Sequence, residues 1–486
     1  MISPKYNISM EKIFLESALS RGENTPLESF LAWFQTQRKM CSFEVHRRSL
    51  SALNGWYFEK DTGNIVHSSG KFFSIEGIDV RTNFGVTQQW MQPIINQPEI
   101  GILGFLTKKI DGILHFLVQA KMEPGNVNGL QISPTVQATY SNYTKVHGGK
   151  HVPYLDWFIG HNRARYLIDQ LQSEQGARFL SKRNRNIIVE VHEDEPVEVL
   201  DGFYWLTLGQ LFELLKLDNM VNMDSRTVLS CIRYIGSDGN LKELPLICSS
   251  DEFTEDVYVS SISNERHSLH NFDSLISWLT QMKTSYRLAV NRVPLNKTQE
   301  WYFDGEVIRH RTGGYFSVMG VSVNINNREV AHWHQPLIES AKGGIICFVC
   351  QKKNHVLHFL VQARVEPGNL DCLEMAPTIQ FTQANYDKNR PETSPPFQYL
   401  ISDLNAADIK YDALQSEEGG RFYHDQNRYI VVEIDEHHLL NLPKNYIWMT
   451  IRQMKEFIRF NNYFNIEARG LLSCLSLKSP KKDGVS

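Results

Sequence analysis

Apolar residues recur at helical spacing near the start of the chain. Leu27, Phe30, Leu31 and Phe34 fall at i, i+3, i+4 and i+7, which predicts an amphipathic helix. Thr25, Pro26 and Glu28 precede or open it as a capping threonine, a first-turn proline and a glutamate three residues after the cap. The same spacing returns at Leu275, Trp278, Leu279 and Met282 and predicts a second helix over Asp273–Met282. Further along, short segments are rich in aromatic and β-branched residues and bounded by turn residues. Trp56–Phe58, Phe72–Ile75 and the segment from His115 predict strands, as do Trp301–Phe303, Tyr315–Val318 and the segment from His358. Thr207 with Gln210 and Thr450 with Gln453 are capping boxes. They lead into the apolar stripes Leu208, Leu211, Phe212, Leu215 and Ile451, Met454, Phe457, Ile458. The pattern is that of a mixed α+β protein with strands in the middle and helices at the flanks.

These elements come in pairs because the chain contains itself twice. The twelve residues from His115 to Asn126 return from His358 to Asn369, a shift of 243 in a chain of 486. The same shift carries Leu171–Phe179 onto Leu414–Phe422 and Trp90 onto Trp333. A period this long is domain duplication, since solenoid units run about 20–50 residues. The expected division is residues 1–240 and 241–486, with the polar stretch from about Gly236 to Asn271 as the connection.

Composition narrows the field. A net charge of −4 gives no global basic field for nucleic acid. No apolar run approaches the roughly 18 residues of a membrane span, and the start lacks a secretory apolar segment. Seven cysteines, an odd number, read as free thiols of a cytoplasmic protein. Cys347 and Cys350 have CxxC spacing but lie in an apolar run with no second pair, so they read as packing.

Strand alternation places His115, Leu117, Gln119 and Lys121 on one face, with Glu123 in the turn just beyond. The second copy repeats this as His358, Gln362, Arg364 and Glu366. Gln137 and Gln380 lie in a neighbouring alternating segment. Two adjacent strands with polar faces suit the floor of a polar ligand pocket; ordinary cross-strand pairs on a solvated face are the plainer reading. Retention of the same side chains in both copies favours the pocket. The following loop adds Glu174, Arg178, Arg183 and Arg185, and its twin Arg421 and Arg428. Arginines beside such a pocket suit a diphosphate, against surface ion pairs as the alternative. No dinucleotide fingerprint, phosphate-binding glycine loop, zinc-protease motif or nucleophile elbow occurs. His192–Glu195 and Glu436–His438 read as solvated loops, so no metal is expected.

The strings Gln119–Asn126, Ser133–Tyr143, Gln172–Gly176 and Val221–Cys231, with Gln362–Asn369 and Gln415–Phe422 in the second copy, resemble the NDP-hexose 2,3-dehydratases of deoxysugar biosynthesis. The resemblance covers nearly the whole chain. It implies tandem Nudix-like domains, usually in a homodimer, and a substrate that is a nucleoside-diphosphate 4-keto-6-deoxyhexose, usually dTDP-linked. It implies loss of the C2 hydroxyl to leave a 3,4-diketo sugar, for which a ketoreductase is the expected downstream partner. A Nudix signature helix with clustered glutamates is not evident, which argues against pyrophosphate hydrolysis. The chemistry needs a base, an acid and oxyanion donors, and no cofactor. The candidates are His115 or Glu123 as base and Tyr143 or Glu174 as acid. Gln119, Lys121 and Gln137 would steady the enediolate, Arg178, Arg183 and Arg185 would hold the diphosphate, and Trp90 would line the pocket. The second pocket would hold His358, Gln362, Arg364, Glu366, Gln380, Arg421, Arg428 and Trp333.

The copies differ. Lys182-Arg183 becomes Asp425-Gln426, and Gln131 becomes Glu374. Electrostatics therefore favour the first copy as the working anion site. The competing readings are a non-catalytic nucleotide-sugar-binding protein, a nucleotide-sugar pyrophosphatase and a structural scaffold.

Overall fold

The computed structural model describes residues 10–22, 25–139, 152–160, 163–234, 251–325, 331–385, 394–402, 408–435, 438 and 440–477. Its strands form two five-stranded and two seven-stranded sheets. In one seven-stranded sheet the order is Arg165–Ser173, Arg183–Val191, Gly101–Ile110, Ile113–Met122 and Phe203–Thr207. Leu130–Ser133 joins Ile113–Met122, and Val136–Ala138 joins Gly101–Ile110. Among the described residues only one of its strand pairs is parallel, Arg183–Val191 on Gly101–Ile110. The second half repeats this sheet, with Gln426–Glu433 parallel to Gly344–Lys353.

The five-stranded sheets show that the halves are not separate in space. Phe43–Arg48 pairs antiparallel with Phe316–Ile325, so a first-half strand extends a second-half sheet. Reciprocally, Leu288–Val293 pairs with Ser74–Thr82. The largest hydrophobic core is also shared: Phe105, Phe116 and Leu211 of the first half belong to one cluster with Phe348, Phe359 and Met454 of the second. The sequence repeat near residue 240 therefore marks a duplication, while each five-stranded sheet draws on both halves.

Local signals explain most helices. Thr207 and Thr450 each form the expected capping box, with Gln210 and Gln453 reaching back. Asn222 and Asn465 cap two further helices, Met223–Ser230 and Ile466–Ser473, which are buried along their whole length. Two expectations need correction. Pro26, in extended conformation, is the N-cap of helix Leu27–Met40, and Thr25 makes no cap hydrogen bond to it. The polar connection holds a helix, Glu252–Ile262, started by Asp251, whose side chain accepts from the Thr254 amide. Cys347 and Cys350 sit on opposite faces of one strand, in different cores, as a three-residue offset requires. The six described cysteines are free thiols.

Candidate active site

The two motifs that the duplication repeats most closely meet each other, crosswise. The Glu123–Asn126 turn of the first half receives the loop Glu417–Phe422 of the second. The Gly125 amide donates to the Gly419 carbonyl at 2.7 Å, and the His424 amide donates to the Gly125 carbonyl at 2.8 Å. The reciprocal contact joins Gly368 to Gly176 at 2.6 Å and Ser181 to Gly368 at 2.8 Å. Backbones this close leave no room for side chains. A methyl on Gly125 would stand 1.5 Å from the Phe422 carbonyl oxygen, and one on Gly368 would stand 1.7 Å from that of Phe179.

Buried arginines hold each visiting loop. Arg226 donates to Gln415 Oε1 at 3.0 Å and to the Ser416 carbonyl at 2.6 Å; Arg469 donates to the Ser173 hydroxyl and carbonyl. Tryptophans brace the same loops through an intermediary. Trp90 donates to Gln92, which donates to the Ala177 carbonyl; Trp333 donates to Gln335, which donates to the Gly420 carbonyl.

The crossing creates two composite sites. In the first, Gln137 Nε2 donates to Glu123 Oε1 at 2.9 Å, Asn222 donates to Gln137 Oε1 at 3.1 Å, and Lys121 Nζ donates to the Gln137 carbonyl at 3.1 Å. Asp224, Glu174 and Lys182 of the same half lie within electrostatic reach, and the second half adds Glu418 and Arg421. Burial pushes Glu174 up to about 8, helped by the negative charge of Glu418. Asp224 is raised far above the ordinary range by burial, then by Glu418, Glu174 and Glu123. Burial also pulls Lys182 down to about 8 against the attraction of Glu174 and Glu418. One oxygen of Glu174 accepts from Asn184; the other is buried with no protein partner among the described residues.

The second site has the same frame. Gln380 donates to Glu366 Oε1 at 3.2 Å and Asn465 donates to Gln380 Oε1 at 2.8 Å. Arg364 forms an ion pair with Glu366 at 2.9 Å. The first half contributes Gln175, which donates to Glu417 at 2.5 Å, and Arg178, which lies over the Phe316 ring. Burial raises Glu417 to about 7, and Asp425 adds to the effect.

Several expected residues therefore fall in different places. Glu123, Lys121, Gln137 and Glu174 come together in the first site, and Arg364, Glu366 and Gln380 in the second. Arg178 serves the second site and Arg421 the first, the reverse of their positions in sequence. His115 is remote: it lies eight residues before Glu123, about 25 Å along a strand. Its Nδ1 is 2.8 Å from the Ile113 carbonyl, and burial lowers its pKa. His358 accepts from the Leu269 amide at the matching remote position. Gln119 and Gln362 lie two residues short of Lys121 and Arg364 on their strands, opposite Phe203 and Tyr446. Arg185 points to the other face and pairs bidentately with Asp169 at 2.7 Å; Arg428 repeats this with Asp412. Arg183 is half-buried opposite Ser173. Tyr143 lies outside the described residues. The sequence pattern does not single out Asn222, Asp224 or Glu418, although the first two lie within the family-like string Val221–Cys231 and Glu418 within the repeated string Leu414–Phe422.

A family model described as NDP-hexose 2,3-dehydratase matches residues 27–232 and again 272–475. Three relatives carry the name dTDP-4-dehydro-6-deoxy-alpha-D-glucopyranose 2,3-dehydratase. That of Saccharopolyspora spinosa is 46% identical over 95% of this chain and 94% of its own. That of Amycolatopsis orientalis is 41% identical over 98% and 95%, and that of Streptomyces violaceoruber 40% over 93% and 97%.

Proposed function

The chain belongs to the NDP-hexose 2,3-dehydratase family, and we propose that it removes water across C2–C3 of dTDP-4-dehydro-6-deoxy-α-D-glucopyranose at the first composite site. The ketone at C4 acidifies the C3 hydrogen. A carboxylate takes that proton and the electrons move onto the C4 oxygen. The carbonyl re-forms as the C2 hydroxyl departs, and the resulting enol tautomerises to the 3,4-diketo sugar. The substrate supplies its own electron sink, so this chemistry requires no cofactor.

Glu123 is the base in this reading. Gln137 donates to it and would orient it. Lys121 stands beside them and would stabilise charge on the C4 oxygen, as preorganised donors do in oxyanion sites. Arg421 and Lys182 provide cations for the diphosphate. The observation that carries the choice of site is the set of cations: among the described residues Lys121, Lys182 and Arg421 surround the first, where the second has only Arg364 and Arg178; each site adds one carboxylate of its own, Glu418 in the first and Asp425 in the second. An anion is better held by the first.

The family resemblance further supports a Nudix-related fold for each half, a homodimer, a place in natural-product deoxysugar biosynthesis and a ketoreductase that consumes the reactive diketone. Free thiols support a cytoplasmic location, and no helix among the described residues is long and apolar enough to cross a membrane. The deciding experiment is incubation with dTDP-4-keto-6-deoxyglucose, with and without chelator, followed by mass spectrometry. Loss of one water, insensitive to chelator, is expected. Magnesium-dependent release of a sugar phosphate would make the protein a pyrophosphatase instead.

A further inference from the structure

Two carboxylates from different halves approach one point in the first site. Glu123 follows the strand Ile113–Met122, and Glu418 sits on the visiting loop. The point where a methyl would stand on Gly420 is 2.9 Å from Glu418 Oε1 and 3.4 Å from Glu123 Oε1. The two oxygens are therefore no farther apart than the sum of these distances. A side chain at residue 420 would crowd both oxygens. Its backbone does not demand glycine, since its φ is not in the left-handed region.

The second site lacks both features. By the 243-residue shift, Ala177 stands in place of Gly420 and Gln175 in place of Glu418. The Gln175 amide is tied to Glu417. Glu174 and Asp224, by contrast, have carboxylate counterparts in Glu417 and Glu467, so neither distinguishes the sites.

We propose that Glu418, supplied by the second half, is the acid that protonates the departing C2 hydroxyl, and that Gly420 keeps the sugar's place between Glu418 and Glu123. The proposal rests on the first site being the working one. Glu123 takes the C3 proton, and the electron pair passes to the C4 oxygen. As the C4 carbonyl re-forms, the C2–O bond breaks and the oxygen leaves as water with the proton of Glu418. Glu418 ends ionised, within reach of Arg421 and Lys182. Before the step, burial raises Glu418 above the usual carboxylate range; Arg421 opposes this and Glu123 adds to it. That favours the protonated form an acid needs.

The test uses the full chain and dTDP-4-keto-6-deoxyglucose in deuterated water. Glu418→Gln should lose about 10²–10⁴-fold in dehydration, the usual worth of a general acid, while still exchanging the C3 hydrogen for deuterium. Binding of dTDP should change less than threefold on the order-of-magnitude scale of a neutral contact. Gly420→Ala should move in the same direction with a smaller loss, and it should fold, because alanine already occupies the matching position in the second site. Dehydration by Glu418→Gln within tenfold of the unaltered protein would overturn the proposal, as would joint loss of exchange and dehydration. If Glu418→Gln does not fold, unimpaired turnover by Gly420→Ala overturns it. Failure of the site assignment looks different: Glu366→Gln would then abolish exchange and Glu123→Gln would not.

Discussion

Both composite sites receive a loop from the opposite half, and in both a fully buried arginine grips that loop at its start. Both keep a carboxylate–glutamine–asparagine chain, Glu123–Gln137–Asn222 and Glu366–Gln380–Asn465. The frame is thus close to symmetric. The side chains around it are not: Lys182, Glu418 and Gly420 are answered by Asp425, Gln175 and Ala177. Two of those three first-site residues come from the second half of the chain. Each half contributes a loop to both composite sites, and neither is built from one half alone.

The largest effect expected from this comparison separates the two glutamates. Glu123→Gln should lose about 10²–10⁴-fold in turnover, as removal of a general base does, together with C3 exchange. Glu366→Gln should lose far less. Steady-state kinetics on the two variants decide it, and equal losses would break the asymmetry.

Stability should follow the symmetric frame instead. Gly125→Ala and Gly368→Ala each push a methyl into a backbone carbonyl of the visiting loop. Each should cost about 1–3 kcal/mol or more, the range of overpacked cores, and by similar amounts. Urea unfolding measures this. A loss confined to Gly125→Ala would mean that the crossing matters on one side only.

The sequence and the structure agree where the signal is local. Capping boxes at Thr207 and Thr450, the strands Trp56–Phe58 and Trp301–Phe303 and the duplication are properties of short strings, and all are present; Phe72 and Tyr315, expected to open strands, instead lie just before Ser74–Thr82 and Phe316–Ile325 with positive φ. The crossing was not legible, because periodicity fixes which face a residue occupies but not which distant segment pairs with it. Sequence position alone therefore places Arg178 and Arg421 in their own halves, whereas their loops reach across. Alternation grouped His115 with Lys121 on one face; it carries no information on where along that strand the site begins. The strand exchange of Phe43–Arg48 is hidden for the same reason, since either five-stranded sheet offers it a similar edge.

A smaller effect should appear in the pH dependence of stability. Glu417 titrates near 7 in the folded chain because it is buried, against about 4.3 for an unfolded glutamate. Below the unfolded value both states carry the proton, and the contribution is fully present. As pH rises toward 7 the unfolded chain ionises first, so folding stability falls across that window. Glu417→Gln cannot ionise, and its stability should fall less between pH 4.5 and 7 on the order-of-magnitude window set by these values. Urea midpoints at the two ends of the window test the sign; a steeper fall in the variant would contradict it.

The smallest effect concerns an arginine that pattern alone places on the diphosphate. Arg185 shares a strand with Asn184, but alternation turns the two to opposite faces. Asn184 donates to Glu174 inside the first site, while Arg185 grips Asp169 outside it. Arg428 and Asp412 make the same pair in the second half, where the surrounding site charges differ. A pair kept irrespective of the site it borders belongs to the strand pairing. Partly exposed ion pairs are worth about 0–1 kcal/mol, so Arg185→Met should barely move the unfolding midpoint. dTDP affinity should change by less than about tenfold, the equivalent of 1.4 kcal/mol. A larger loss of dTDP binding by calorimetry would return Arg185 to the ligand and would require its side chain to leave Asp169 when substrate is present.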